Sequence, residues 1–179
     1  YSLLPARRLD VLSAGDDLEL ASLADVFDDK VWECHGKLKK QNITVPVKNC
    51  FSGFDAYKKL LDLDLDIVIL ATPPHFRPAH LKAAVQAGKN VFMEKPAAVD
   101  PVGARQIIAT SREAEKQGLT IITGTQRRHQ RDYLETFRKV ASGAIGEITS
   151  AKAWWLQSYV WFRSRLQNWS DMEYMLRNW

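Results

Sequence analysis

Two stretches, Asp66-Ile-Val-Ile-Leu-Ala-Thr-Pro-Pro74 and Asn90-Val-Phe-Met-Glu-Lys-Pro96, decide how this chain folds. Each opens on a short apolar run with strand character and closes on residues that packing does not require. The first ends in Ala71-Thr72-Pro73-Pro74, the second in Glu94-Lys95-Pro96. Asp66 to Ala71 is nearly continuous in apolar residues, the pattern of a parallel strand buried on both faces. The stretch between the two runs is punctuated as a helix, with Pro78 near its start and Gly88 just after Ala87. If the two strands are parallel neighbours, both endings share the carboxyl rim of a sheet, where α/β proteins bind their ligands. A carboxylate and an ammonium on that rim point to chemistry.

The same alternation continues in both directions. Upstream, Leu3 to Ala14 is predicted to be the tail of a helix and Leu18 to Ala24 a strand closed by Asp25. Asp28 to Lys40 reads as a helix, Val45 to Phe51 as a short strand and Ser52 to Asp62 as a helix. Downstream of the Val91-Phe-Met93 strand, Asp100-Pro101 opens a helix as N-cap and first helical residue. That helix is predicted to stop at Gly118. Thr120 to Gly124 is a further strand, and Asp132 to Ser142 a helix closed by Gly143. Strands alternating with helices imply a doubly wound parallel α/β sheet with right-handed crossovers. The character changes after about Gly146. Ile148 to Leu156 alternates like a half-exposed antiparallel strand, five of the six tryptophans lie between 154 and 179, and Met172 to Trp179 is helix-like. The expected division is residues 1–128 and 129–179, the latter the start of a second domain.

Composition narrows the class of protein. The chain has 179 residues, 46% of them apolar, enough for a real core, and a net charge of +4. Its basic residues are dispersed. Lys37-Leu-Lys-Lys40 and Arg127-Arg128 are the only small clusters; the first reads as a solvated face, and nothing favours nucleic acid. Cys34 and Cys50 make neither a disulfide framework nor a metal set. No stretch approaches the ~20 apolar residues of a membrane helix. A cytoplasmic location is expected, or a periplasmic one if an upstream segment carries a signal, since the chain begins at Tyr1 without a methionine.

Asp25 closes a strand and precedes a helix. In dinucleotide-binding folds an acidic residue there hydrogen-bonds the adenosine ribose and repels the 2′-phosphate of NADP. The alternative is an ordinary residue at a helix N-terminus. The phosphate-binding glycine loop belongs ~20 residues or more upstream, where only Gly15 occurs. The expectation is that the first strand and its loop precede Tyr1.

Taken together, these motifs resemble the family of glucose–fructose oxidoreductase, inositol dehydrogenase and their rhizopine-catabolism relatives (Gfo/Idh/MocA). The resemblance is carried by Leu23-Ala-Asp25, Phe54-Asp-Ala-Tyr57 with Leu60-Leu61, and Asp66 to Pro74. It continues through His80, Ala87 to Pro96, Gly124-Thr-Gln-Arg-Arg128 and Gly143-Ala-Ile-Gly-Glu147, spanning residues 3 to 157. It implies a Rossmann-like NAD(P)-binding domain followed by an open, mostly antiparallel α+β sheet domain that usually assembles into dimers or tetramers. NAD is implied in preference to NADP.

Residue by residue, the resemblance places Thr72 and Pro73 along the cofactor's ribose and pyrophosphate. It puts His75 just past that turn, where many relatives carry Asn, and His80 at the start of the next helix, either orienting the cofactor side or purely structural. Glu94 would face the nicotinamide ribose. Lys95 would reach the substrate hydroxyl, stabilise the developing alkoxide and handle its proton. Gln126 and Arg127 would border the substrate cleft, Arg127 binding a carboxylate or sugar hydroxyl, or else pairing with a domain-interface acid. Two departures stand out: the glycine loop, and the family's C-terminal Asp…His pair, which does not occur after residue 150. The chain alone is therefore expected to be inactive or severely impaired.

The function implied is part of an NAD-dependent oxidoreductase acting on a sugar, cyclitol or related polyol. The tryptophan-rich tail suits carbohydrate, or else a core or dimer interface. The alternatives are a glycosidase that uses transient NAD oxidation and a non-catalytic NAD- or sugar-binding regulator; the retained Lys95 argues against the latter.

Overall fold

The structure is a computed structural model and describes residues 15, 17–158 and 161–178. The expected helix at 3–14 lies outside the described residues. The chain divides into two compact units, Tyr1–Gly124 and Thr125–Trp179.

The first unit is a β-α alternation. Strand β1 (Leu23–Asp25) leads into helix α1 (Asp28–Lys39). Asp28 and Asp29 in the first turn of α1 and Lys37 and Lys39 in its last complement the helix dipole, and Val31, Cys34 and Leu38 face inward. Then come β2 (Cys50–Ser52), α2 (Ala56–Leu61), β3 (Ile67–Leu70), α3 (Arg77–Gln86), β4 (Asn90–Glu94), α4 (Pro101–Lys116) and β5 (Ile121–Gly124). All pairings are parallel, as the alternation implies, in two separate sheets: β1-β2 and β3-β4-β5.

The early strands are shorter than predicted. Of the expected 18–24 strand only Leu23 and Ala24 pair with a neighbour, joined by Asp25. The expected strand at 45–51 starts only at Cys50, because Val47–Asn49 forms a 3₁₀ turn after Pro46, with the Asn49 N–H donating to the Pro46 carbonyl at 2.9 Å. Side chains continue the alignment where the ladder cannot. Ser22 Oγ donates to the Asn49 carbonyl at 2.7 Å, and Asn49 Nδ2 to the Ala21 carbonyl at 2.9 Å. Helix α2 starts at Ala56 rather than Ser52, because Gly53 turns the chain at φ +102°, a left-handed conformation glycine adopts without steric cost.

Two apolar clusters hold the first unit together. Val68 and Leu70 of β3 and Val91 and Met93 of β4 pack against Leu81, Ala84 and Val85 of α3 and Ala114 of α4. Leu23, Val31, Cys34, Leu38 and Val45 form the other cluster. Helix α4 begins as predicted: Asp100 caps it by accepting the Gly103 N–H at 2.6 Å, with Pro101 in the first position. Gly103 admits α3 closely, since a Cβ there would stand 3.1 Å from Pro78 Cγ.

In the second unit, α5 (Gln126–His129) is a short helix that periodicity did not signal. It is followed by α6 (Arg131–Ala141), and later by α7 (Asp171–Arg177), capped by Ser170. The expected strand Ile148–Leu156 does not form: residues 146–157 adopt neither helix nor strand. A strand needs a ladder partner and a surface to cover, and Trp154, Trp155 and Leu156 remain 78%, 72% and 91% exposed.

Leu81 is fully enclosed in the larger cluster. Leu81→Ala is expected to lower stability by about 2–5 kcal/mol through lost burial and a residual cavity. The urea unfolding midpoint measures this, and a shift below about 0.5 kcal/mol contradicts the assigned core.

Candidate functional site at the carboxyl rim

The register of the larger sheet brings the strand endings together. Leu70 of β3 lies opposite Met93 of β4, and Glu94 lies opposite Gly124 of β5. The turns after Leu70 and after Met93 therefore emerge side by side. Their separation is set by the ordinary spacing of neighbouring strands, ~5 Å.

Aromatic contacts join the smaller sheet to the same rim. Phe54, just past the end of β2, approaches Phe76, the residue before α3, with ring centroids 6.4 Å apart. Tyr57 of α2 lies 4.2 Å from the imidazole of His80 on α3. In β1, Asp25 pairs in register with Ser52. Its Oδ1 accepts the Phe27 N–H at 2.9 Å, which holds the carboxylate at the strand end.

Thr72 and Pro73 form the turn after β3, and Thr72 Oγ1 shares a 3.3 Å hydrogen bond with His80 Nδ1. His80 sits between Tyr57 and Phe76, the latter stacked at 5.9 Å. Burial among these rings pushes its imidazole down to about 4, so it is neutral near pH 7. His80 thus orients Thr72. His75 is exposed and edges against Phe76 at 5.4 Å.

Glu94 is buried at the end of β4. Gly124 makes room for its carboxylate, since a Cβ there would meet Glu94 Oε1 at 2.9 Å. Lys95 follows on the exposed turn, and its bond to Pro96 is cis. Gln126 and Arg127 belong to the second unit. There, the Arg127 guanidinium bonds the Tyr133 hydroxyl and lies 4.9 Å from the Trp155 ring. That leaves it engaged with aromatic partners within its own unit.

Sequence reasoning missed Arg77. This first residue of α3 is 2% exposed. Its Nε donates to the Thr72 carbonyl at 2.7 Å, and one terminal nitrogen donates to the carbonyls of Glu94, at 2.8 Å, and Pro96. The only signal in the sequence was a cation placed before the first proline of an otherwise apolar helical face. Phe76 was likewise visible only as an apolar residue, and Tyr57, which encloses His80 with it, only as part of the Phe54-Asp-Ala-Tyr57 match.

The donor set fits the ribose side of a dinucleotide. A fixed carboxylate ends β1, a hydroxyl and a donor-free proline follow β3, and a carboxylate and an ammonium follow β4. Among the described residues, no glycine-rich strand-to-helix turn is present to cradle a pyrophosphate. No group of three or more His, Cys, Asp or Glu among the described residues could hold a metal. No helix among them is long and apolar enough to cross a membrane.

Parallel strands joined by helices, with polar residues at their carboxyl ends, are the architecture of the doubly wound α/β domains that bind ligands at that rim. The chain belongs to the Gfo/Idh/MocA family: residues 10–125 match the family described as an oxidoreductase family with an NAD-binding Rossmann fold. It is 30% identical over 113 residues to inositol 2-dehydrogenase of Rhodococcus jostii, covering 63% of this chain and 30% of that protein. It is 33% identical over 140 residues to D-glucoside 3-dehydrogenase of Escherichia coli, covering 77% and 36%. Its fold resembles that of scyllo-inositol dehydrogenase from Lactobacillus casei, solved with NAD(H) and scyllo-inositol, at TM-score 0.59 and 24% identity, covering 73% of this chain and 35% of that one. The chain thus spans about a third of the length of these relatives.

His80 carries a pH signature. Its ordinary value is 6.5 and its folded value about 4. Between these, the unfolded chain takes up a proton that the folded chain refuses, so stability present above 6.5 is lost as pH falls towards 4. Allowing for the partial exposure of the imidazole, the loss is about 1–2 kcal/mol. Urea midpoints above and below this window should show it, and His80→Phe should flatten it. An equal pH dependence in both proteins contradicts the neutral, enclosed imidazole.

Proposed function

We propose that this chain forms the cofactor-side part of an NAD-dependent dehydrogenase acting on a sugar, cyclitol or related polyol. The observation that carries the reading is the shared rim: Thr72 and Lys95 stand on turns that leave adjacent parallel strands in register. Family membership supports it, as do the similarities to an inositol and a glucoside dehydrogenase.

In this reading the bound nicotinamide cofactor supplies the hydride acceptor. Asp25, whose orientation is fixed by the Phe27 N–H, accepts hydrogen bonds from a ribose diol and repels a 2′-phosphate, which favours NAD over NADP. Thr72, held by His80, and Pro73 line the turn beside the cofactor, with His75 next to it. Glu94 faces the nicotinamide ribose. The Lys95 ammonium would hydrogen-bond the substrate oxygen, stabilise the developing alkoxide and relay the hydroxyl proton to solvent, giving up one proton as it takes up another, while the carbinol carbon passes its hydride to the nicotinamide and becomes a ketone. Gln126 and Arg127 contribute to the substrate side. The polyol is the partner, and a homo-oligomer, dimer or tetramer, provides the setting.

Calorimetry with NADH and NADPH tests the cofactor assignment. NADH is expected to bind more tightly than NADPH, and Asp25→Ala to weaken NADH binding by about tenfold and narrow the preference. Equal heats from both proteins, or from neither, remove Asp25 from the site. In the complete dehydrogenase of this reading, Lys95→Ala is expected to lower polyol-dependent NADH formation by about 10²–10⁴-fold with NADH affinity nearly unchanged. Unchanged turnover contradicts the role of Lys95. Alcohol released from a glycoside without accumulation of NADH would favour the glycosidase chemistry instead.

A further inference from the structure

One buried cation ties the two halves of the rim together. Arg77 is 2% exposed, although arginine is among the residues least often buried. Its three carbonyl acceptors come from both strand endings: Thr72 after β3, Glu94 at the end of β4, and Pro96 beyond it. Residues 94 and 96 flank Lys95 on either side, and the same nitrogen of Arg77 bonds both of their carbonyls. The planar guanidinium offers donors in fixed directions, which an ammonium cannot reproduce. A buried charge is tolerated only where such bonds replace its hydration.

We propose that Arg77 is a positioning residue that fixes the Lys95 turn against the Thr72 turn, so that the Lys95 ammonium starts from one backbone position relative to the cofactor side of the rim. This rests on the reading of Lys95 as the proton-handling group. It adds a structural claim that stands or falls by itself: the backbone of residues 94–96 is ordered by a guanidinium contributed by the first turn of α3. Helix α3 is in turn held by the apolar packing of Leu81, Ala84 and Val85. The Lys95 turn is therefore tied to the core twice, directly through β4 and through α3 by the side chain of Arg77.

The test uses the 179-residue chain and NMR rather than turnover. In Arg77→Lys and Arg77→Ala, the carbonyl ¹³C resonances of Thr72, Glu94 and Pro96 are expected to move together. The Lys95 backbone order parameter is expected to fall from the rigid range, about 0.85, to below about 0.6, with Val91 and Lys116 unchanged. Ethylguanidinium at sub-denaturing concentration should restore both signals in Arg77→Ala, and ethylammonium should restore neither. Where Arg77→Ala fails to fold, Arg77→Lys, which keeps the buried charge and most of the volume, decides the matter.

Where polyol oxidation is measured, Arg77→Lys is expected to lower kcat by about 10–100-fold with the polyol KM within about threefold. A Lys95 amide that stays rigid in the folded variants, equal restoration by the two cations, or an unchanged kcat alongside a loosened turn overturns the proposal. Failure of Lys95→Ala to affect turnover, with the NMR result as expected, overturns the function assigned to Lys95 and leaves the tie itself intact.

Discussion

The parallel register of β3 and β4 is the constraint on which the rest depends. With Leu70 opposite Met93, two loops that are distant in sequence must leave the sheet side by side at one rim. A slip of one residue would send Met93 to the other face, and Met93 is fully buried against α3. The hydrophobic core therefore specifies the register, and the register specifies the site. Arg77 adds a polar tie across the same two endings.

A second constraint acts on the smaller sheet. Strands β1 and β2 carry Asp25 to the rim, yet they share no ladder with β3. Among the described residues the two sheets are brought together by Leu60 and Leu61 of α2, which pack against the core of the larger sheet, and by aromatic contacts, Phe54 against Phe76 and Tyr57 against His80. The aromatic contact performs two tasks. It aligns the carboxyl ends of both sheets, and it encloses the imidazole that orients Thr72. The neutral state of His80 near pH 7 is a consequence of that packing rather than of any charged neighbour.

Much of this was legible in the residues. The continuous apolar run 67–70, the proline-to-glycine punctuation of α3, the Asp100-Pro101 start of α4 and the Gly118 stop each follow from local physical chemistry, and all appear in the structure. Asp25, Thr72, Glu94 and Lys95 draw notice as polar residues at or just past strand ends, while the roles proposed for them come from the resemblance to the family. Other features could not be read. The shortening of β2 depends on a 3₁₀ turn after Pro46, which competes with strand geometry only once Asn49 finds Ala21 across the sheet. The stretch 148–156 has the alternation of a strand but no ladder partner, and alternation alone does not order a backbone. Arg77 was invisible because its partners are backbone carbonyls, which carry no sequence signal.

The central claim is that a nicotinamide dinucleotide lies along this one rim. Amide NMR of the chain titrated with NADH tests it directly. The amides of Asp25, Gly53, Thr72, Glu94 and Lys95 are expected to shift together along a single saturable curve, while those of Ile67, Asn90 and Ile121 at the opposite ends of the strands stay still. Shifts centred on those opposite ends, or confined to residues 125–178, would contradict it.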